Sequence, residues 1–256
     1  MYSIEFAFGL KVFAALMMGA WFIVWTAFQH RPLRLGTWAD VYLGTILGGI
    51  LGARIVYILL NLDPFLDVPL NIPRLWFAEL SWQGAIIGGL LSMWGMCRWR
   101  KIEVSSFADG LALAFPVGMM GVCWASRSAG IILGSEIGDP TDYPVWMVAF
   151  LPDFHRDVVP RYELQWLGVA LGAVILLIVG ALVVGKWLEK SRLWVTLALA
   201  GIAVFVLDHY SALDGPKVIG LHLDRWSAGL LIVFGVGMLV WQWWEKRSLQ
   251  PEPDAL

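Results

Sequence analysis

Residues Leu164 to Gly185 read LQWLGVALGAVILLIVGALVVG, without a single Asp, Glu, Lys or Arg. A helix needs roughly 20 apolar residues to cross the hydrocarbon core of a bilayer. This stretch meets that need, and it predicts a membrane-spanning helix. Working outward, six more apolar runs follow the same rule: Ile4–Phe28, Val41–Leu60, Trp82–Cys97, Phe107–Leu133, Leu193–Leu207 and Trp226–Trp243. The third and sixth of the seven, in chain order, are short. The fourth carries Pro116, which removes a backbone donor and predicts a kink or a break. In the first run Glu5 precedes any basic residue. The run is long enough to span, so it is read as a retained span and not as a cleaved signal.

The composition agrees. Of 256 residues, 59% are hydrophobic and 15% are charged, and the mean hydropathy is +0.71. A soluble domain carries about 25% charged residues. A formal charge of −2 with no basic region excludes a nucleic-acid partner. Sixteen Trp suit a chain that meets two membrane interfaces. Cys97 and Cys123 cannot make a disulfide framework and read as buried small hydrophobes. No His/Cys cluster has metal-ligand spacing, and neither a metal nor an organic cofactor is expected.

The connections alternate in charge. The odd ones carry Arg31 and Arg34, then Arg98, Arg100 and Lys101, then Lys186, Lys190 and Arg192, and the tail has Lys246 and Arg247. The even ones hold Asp63, Asp67 and Glu79, then Glu136, Asp139, Asp142, Asp153 and Asp157. Basic loops stay in the cytoplasm. The expectation is therefore an all-α polytopic bundle of seven transmembrane helices, N-terminus outside and C-terminus cytoplasmic. It would form one domain over residues 1–247, with an extracytoplasmic head near 61–81, 134–163 and 208–225. Residues 248–256 would be a cytoplasmic tail.

Ionisable residues inside spans are costly and mark function, pairing or snorkelling. Lys11 lies a third of the way into the first run. Arg54 sits mid-span in the second. Arg127 falls late in the fourth, and Asp208 with His209 at the outer end of the sixth. Gly44, Gly48, Gly49 and Gly52 recur at helical spacing, as do Gly84, Gly88 and Gly89. Such residues let helices approach closely in lipid, so these two spans are expected to pack together. Cations inside a bundle suit an anionic lipid headgroup, because a guanidinium pairs bidentately with phosphate.

Several stretches resemble one family, the bacterial prolipoprotein diacylglyceryl transferases. Gly48 to Leu59, GGILGARIVYIL, is similar to the family's LGxRxxY segment. Leu80 to Gly89, LSWQGAIIGG, is similar to its SFHGGxxG segment. Ala108-Asp109, Pro116 and the run to Gly138 resemble its D…P…GRxGNFxNGExxG region. Leu10 to Met17, LKVFAALM, resembles IRWYGLM, and Ala203 to Tyr210, AVFVLDHY, falls where the family has RFxxExxR. The resemblance implies a multi-pass enzyme of the bacterial inner membrane, with seven spans. It would move diacylglyceryl from phosphatidylglycerol, or use another anionic phospholipid, onto the lipobox cysteine of a preprolipoprotein, releasing glycerol phosphate. It places Arg54, Tyr57, Lys11 and Arg127 at the lipid phosphate, and Gln83, Arg127, Glu136 and Asp208 at the chemistry.

There are departures. Gln83 stands where the family has a histidine, and glutamine has no usable pKa for general-base work. An ungapped count puts Cys123 at the family arginine of GRxGN, and one inserted helical turn puts Arg127 there. The family asparagines are absent. Val204 and Ser211 stand where the sixth span has arginines, and HPSQLYE is reduced to Pro160-Arg161-Tyr162-Glu163. Two other readings follow from these losses: a lapsed family member that binds or presents lipid, and a small transporter using its buried charges.

Overall fold

The computed structural model describes residues 2–29, 35–72, 80–152, 158–212, 217–218 and 221–248. Arg31, Arg34, Glu79, Asp153, Asp157 and the tail from residue 249 lie outside them, as does the Lys246 side chain. Seven long helices carry the seven apolar runs: α1 (Tyr2–Phe28), α2 (Leu35–Leu60), α4 (Trp82–Arg100), α5 (Val104–Ala129), α6 (Leu164–Val184), α7 (Arg192–His209) and α8 (Leu223–Ser248). A short helix, α3 (Leu62–Asp67), follows α2. Six of the seven are long and apolar enough to cross a membrane, and α4 falls outside that count. The chain is thus a helical, multi-pass membrane protein. Several helices extend past their apolar runs, because an apolar run marks only the hydrocarbon-spanning part of a helix. The fourth ends earlier than Leu133. Gly130 takes φ +64° and the Ile131 N–H donates to Ser126 O at 3.0 Å, a left-handed cap that stops α5 before its last three apolar residues. Pro116 is fully buried within a helix that runs through it.

Two compact units divide the chain: residues 20–110, and residues 1–19 with 111–256. In the first, α2 and α4 run antiparallel. Ser81 N–H donates to Ala53 O at one end, and Arg100 pairs with Asp40 at 2.7 Å at the other. Between these ends the glycines meet. A Cβ on Gly52 would lie 2.4 Å from Gly84 O, and one on Gly88 would lie 2.3 Å from Gly48 O. Ser92 Oγ adds a hydrogen bond to Gly44 O at 2.7 Å. The expected small-residue interface is the seam of this unit.

The second unit packs α5 against α6, and α7 against α8, by the same device. A Cβ on Gly172 would lie 3.3 Å from Pro116 O, and one on Gly201 2.9 Å from Ala228 O. Its end differs in kind. Two strands, β1 (Val148–Pro152) and β2 (Val158–Tyr162), form an antiparallel hairpin with Phe150 opposite Pro160. A second, minimal pair joins β3 (Lys217–Val218) to β4 (Leu221–His222). The segment leaving α5 is laid beside β2: Ile137 N–H donates to Pro160 O at 2.9 Å and Tyr162 N–H to Ser135 O at 3.2 Å. Its other edge reaches the end of α7, with Ser135 N–H to Tyr210 O at 2.8 Å and Ala212 N–H to Leu133 O at 3.0 Å. The β1–β2 hairpin, with the two chain passes bridged to it, therefore forms a small sheet region that ties the ends of α5 and α7 to the start of α6. It is an addition to the expected all-α architecture.

Candidate functional site

The residues singled out from sequence divide between the two units. Arg54, Tyr57 and Gln83 belong to residues 20–110; Lys11, Arg127, Glu136 and Asp208 belong to the other unit.

In the first unit Arg54 is 4% exposed. Its Nη2 donates to Asn71 O at 2.6 Å and its Nε to Ile72 O at 3.2 Å. The guanidinium lies 5.1 Å from the Phe65 ring centroid and 5.9 Å from that of Tyr57. The turn after α2 folds back over the arginine, and its end carbonyls take the cation's donors. That satisfies a buried charge and two terminal carbonyls together. Gln83 sits one residue inside α4, where its Oε1 accepts the Ser81 hydroxyl proton. Ser81 Oγ in turn accepts from Gly84 N–H at the helix N-cap. Both groups lie at the same end of the α2–α4 pair.

In the second unit the sheet end collects the remaining four. Lys11 Nζ donates to Ser128 Oγ and stands 4.9 Å over the Trp124 ring. Arg127, next to Ser128 in the last turn of α5, pairs through Nε with Glu163 Oε1 at 2.5 Å. The Arg127 side chain is 48% exposed, that of Glu163 only 9%. Glu136 is paired with Arg161 Nη2 at 2.8 Å, and Arg161 also donates to Gly134 O at 3.1 Å. Asp208 accepts from Arg225 Nε at 2.6 Å, with His222 Nδ1 at 3.7 Å. The three carboxylates here thus each face a guanidinium. Arg161 is buried while Glu136 is largely exposed; Asp208 is buried while Arg225 is half-buried. Among these pairs Glu136 and Arg127 are the most exposed groups, at 59% and 48%.

Beside them lies a small pocket lined by Trp146, Met147, Tyr162, Glu163, Leu167 and Tyr210. The rings of Tyr143, Tyr162 and Tyr210 stack edge to face and tilted, at 5.4 and 5.0 Å. A hydrogen bond with Tyr143, then burial, pushes the Tyr162 hydroxyl up to about 12. No cluster of His, Cys, Asp or Glu among the described residues could hold a metal.

The family sequence described as prolipoprotein diacylglyceryl transferase matches residues 3–241. The chain belongs to that family. It is 32% identical over 228 residues to the phosphatidylglycerol–prolipoprotein diacylglyceryl transferase of Geobacter sulfurreducens, covering 87% of this chain and 83% of that one. It is 28% identical to the protein so named in Legionella pneumophila strain Corby, over 95% and 96% of the two chains. The match to the one in Rhodospirillum rubrum is 30% identical and spans 66% of this chain and 60% of that one. In this chain the carboxylates of Glu136 and Asp208 both lie in ion pairs. Sequence reasoning named Glu163 only within the Pro160-Arg161-Tyr162-Glu163 stretch, without its pairing to Arg127, and missed Arg225, whose only signal was a charge at the edge of an apolar run.

Proposed function

We propose that this chain is a working diacylglyceryl transferase, acting in the bacterial inner membrane on phosphatidylglycerol and the lipobox cysteine of a preprolipoprotein. The observation that carries the reading is the match to the family over residues 3–241. Arg127 supports it: the exposed guanidinium is held at the membrane end of α5 by a nearly buried carboxylate.

In the reaction the peptide thiolate attacks the glycerol carbon that bears the phosphate. An S–C bond forms and the C–O bond to phosphate breaks. The phosphate keeps the electron pair and leaves as glycerol phosphate, and the thiol proton passes to a base or to water. Arg127 holds the lipid phosphate and offsets its growing charge, with Lys11 beside it on Ser128. Arg54 and Tyr57 shape the lipid approach in the other unit. Glu136, the exposed carboxylate, is the proton acceptor, and Asp208 positions Arg225. Gln83 orients by hydrogen bonding and carries no proton. A thiol with pKa about 8.5 is a few per cent thiolate near neutral pH, so turnover without the family histidine is slowed and not abolished. The seven helices span with the sheet end outside and Arg98, Arg100 and Lys101 in the cytoplasm, in line with the charge alternation.

The test uses the purified full chain in detergent, phosphatidylglycerol and a lipobox peptide with one cysteine. Mass spectrometry is expected to find the diacylglyceryl peptide and released glycerol phosphate, and Gln83→His is expected to raise the rate. No adduct from either form, in an assay where a relative bearing the histidine works, would overturn the reading in favour of a lipid-binding relative without this chemistry.

A further inference from the structure

Tyr143 to Pro152 reads YPVWMVAFLP, ten residues without a charge, in a connection otherwise rich in acid. The stretch lies outside the membrane-crossing helices, and several of its large apolar residues are exposed. Val145 is 91% exposed, Trp146 67%, Phe150 64% and Val158 64%. The register, with Phe150 opposite Pro160 and Val158 at the far end of β2, puts Phe150 and Val158 on one face of the hairpin, and Val145 and Trp146 stand exposed in the turn that leads into it. The opposite face carries Ala149 and Arg161, both buried against the unit. The outer face is thus apolar and without a charge among its described residues. In water such a patch would be costly.

Its place in the fold identifies what covers it. Glu163 N–H donates to Met147 O at 2.9 Å, so the turn Val145–Met147 is fastened to the residue that precedes α6. One turn into α6 stands Trp166, half exposed. Trp124 near the end of α5 and Trp226 near the start of α8 are exposed to a similar degree. Tryptophans at helix ends mark the headgroup level of a bilayer. The turn that leads into the hairpin is therefore anchored at that level.

We propose that the outer face of the β1–β2 hairpin, with Phe150 and Val158, and the exposed turn before it, with Val145 and Trp146, seat in the lipid surface and hold the sheet end against the bilayer. Trp and Phe suit the acyl–headgroup boundary. The buried Arg161 side is drawn against the protein by Glu136 and Gly134, so the face with Arg161 and Ala149 is turned inward and the face with Phe150 and Val158 is left outward. The inference concerns where the hairpin rests and holds whether or not the chain transfers lipid.

Spin labels on Val145→Cys and Phe150→Cys test it, with the full chain in vesicles of phosphatidylglycerol and phosphatidylethanolamine. Asp142→Cys, three residues before Val145 and exposed, is the water-facing reference. The native Cys97 and Cys123 are buried, and the unsubstituted chain gives the labelling background. At Val145 and Phe150 collisions with oxygen should exceed those with a soluble nickel chelate, in a ratio several-fold above that at Asp142. A ratio equal to that at Asp142 places the face in water and overturns the proposal. Labels shielded from both reagents place it against protein, a second copy included, and overturn it as well. If Val145→Cys does not fold, Phe150→Cys and Val158→Cys still report on the hairpin face.

Discussion

The α2–α4 pair and the sheet end of the other unit handle polar groups in opposite ways. In the pair, backbones touch. Glycines at 48, 52, 84 and 88 bring carbonyls to distances at which no other side chain fits, and the one buried cation, Arg54, is spent on the carbonyls of a turn. At the sheet end, side chains meet side chains. Glu163, Glu136 and Asp208 each take a guanidinium, and in each pair one partner is buried while the other is more exposed. The difference is between backbone contact and side-chain pairing. A seam of glycines offers nothing to a ligand. A half-exposed ion pair offers one partner to a substrate while the other holds it in place.

Substitution at the seam should have the largest effect. Gly52→Leu drives a side chain into Gly84 O and Gly88 Cα, 2.4 and 2.7 Å from the new Cβ. Overpacking costs typically about 1–3 kcal/mol, and contact with backbone leaves little room to adjust. Thermal unfolding in detergent should fall sharply, while Gly95→Ala, with open space around it, should not lower it. Equal melting of the two variants would break the contrast.

Next come the buried arginines. Arg161→Met leaves Gly134 O without this donor, at a cost of about 1–3 kcal/mol. Arg54→Ala frees the turn at Asn71 and Ile72 and should lower lipid binding and transfer as well. Arg100→Ala breaks a pair whose side chains are 38% and 44% exposed, which is worth about 0–1 kcal/mol, and should leave both untouched. If Arg54→Ala and Arg100→Ala act alike on lipid binding, the role given to Arg54 falls.

The smallest effect is in pH. Tyr162 is pushed up to about 12 from an ordinary 10. The folded state therefore holds this proton longer than the unfolded chain. The stability from this group is present below pH 10 and is lost as pH rises from 10 through about 12. An alkaline titration followed by phenolate absorbance should show one late tyrosine that Tyr162→Phe removes.

Much of the seam was legible in the sequence, because glycine spacing and apolar runs are local patterns. Each of the seven expected runs has its own long helix, the fourth only as far as Ala129, and α2 and α4 pack as their glycines foretold. The sheet end was far less legible. Its ion pairs join residues 36, 25 and 17 positions apart, and partners at such separations follow from how the backbone returns. The hairpin was hidden for another reason. The stretch YPVWMVAFLP is too short to span and sits where a loop was expected. Ile131 to Leu133 read as the end of a span by apolarity, and the left-handed Gly130 decides otherwise. Arg54 read as too deep in its span to reach water. Its donors go instead to the turn that follows α2.

The most direct measurement sets Arg127→Lys beside the unsubstituted chain, in the transfer assay and in thermal unfolding. Lysine keeps the charge and loses the planar fork that matches a phosphate. The account predicts a melting temperature within a few degrees of the parent and a loss of diacylglyceryl product of at least tenfold, about 1.4 kcal/mol in the barrier. Full transfer by the lysine variant, or a loss of transfer that follows unfolding alone, would contradict it.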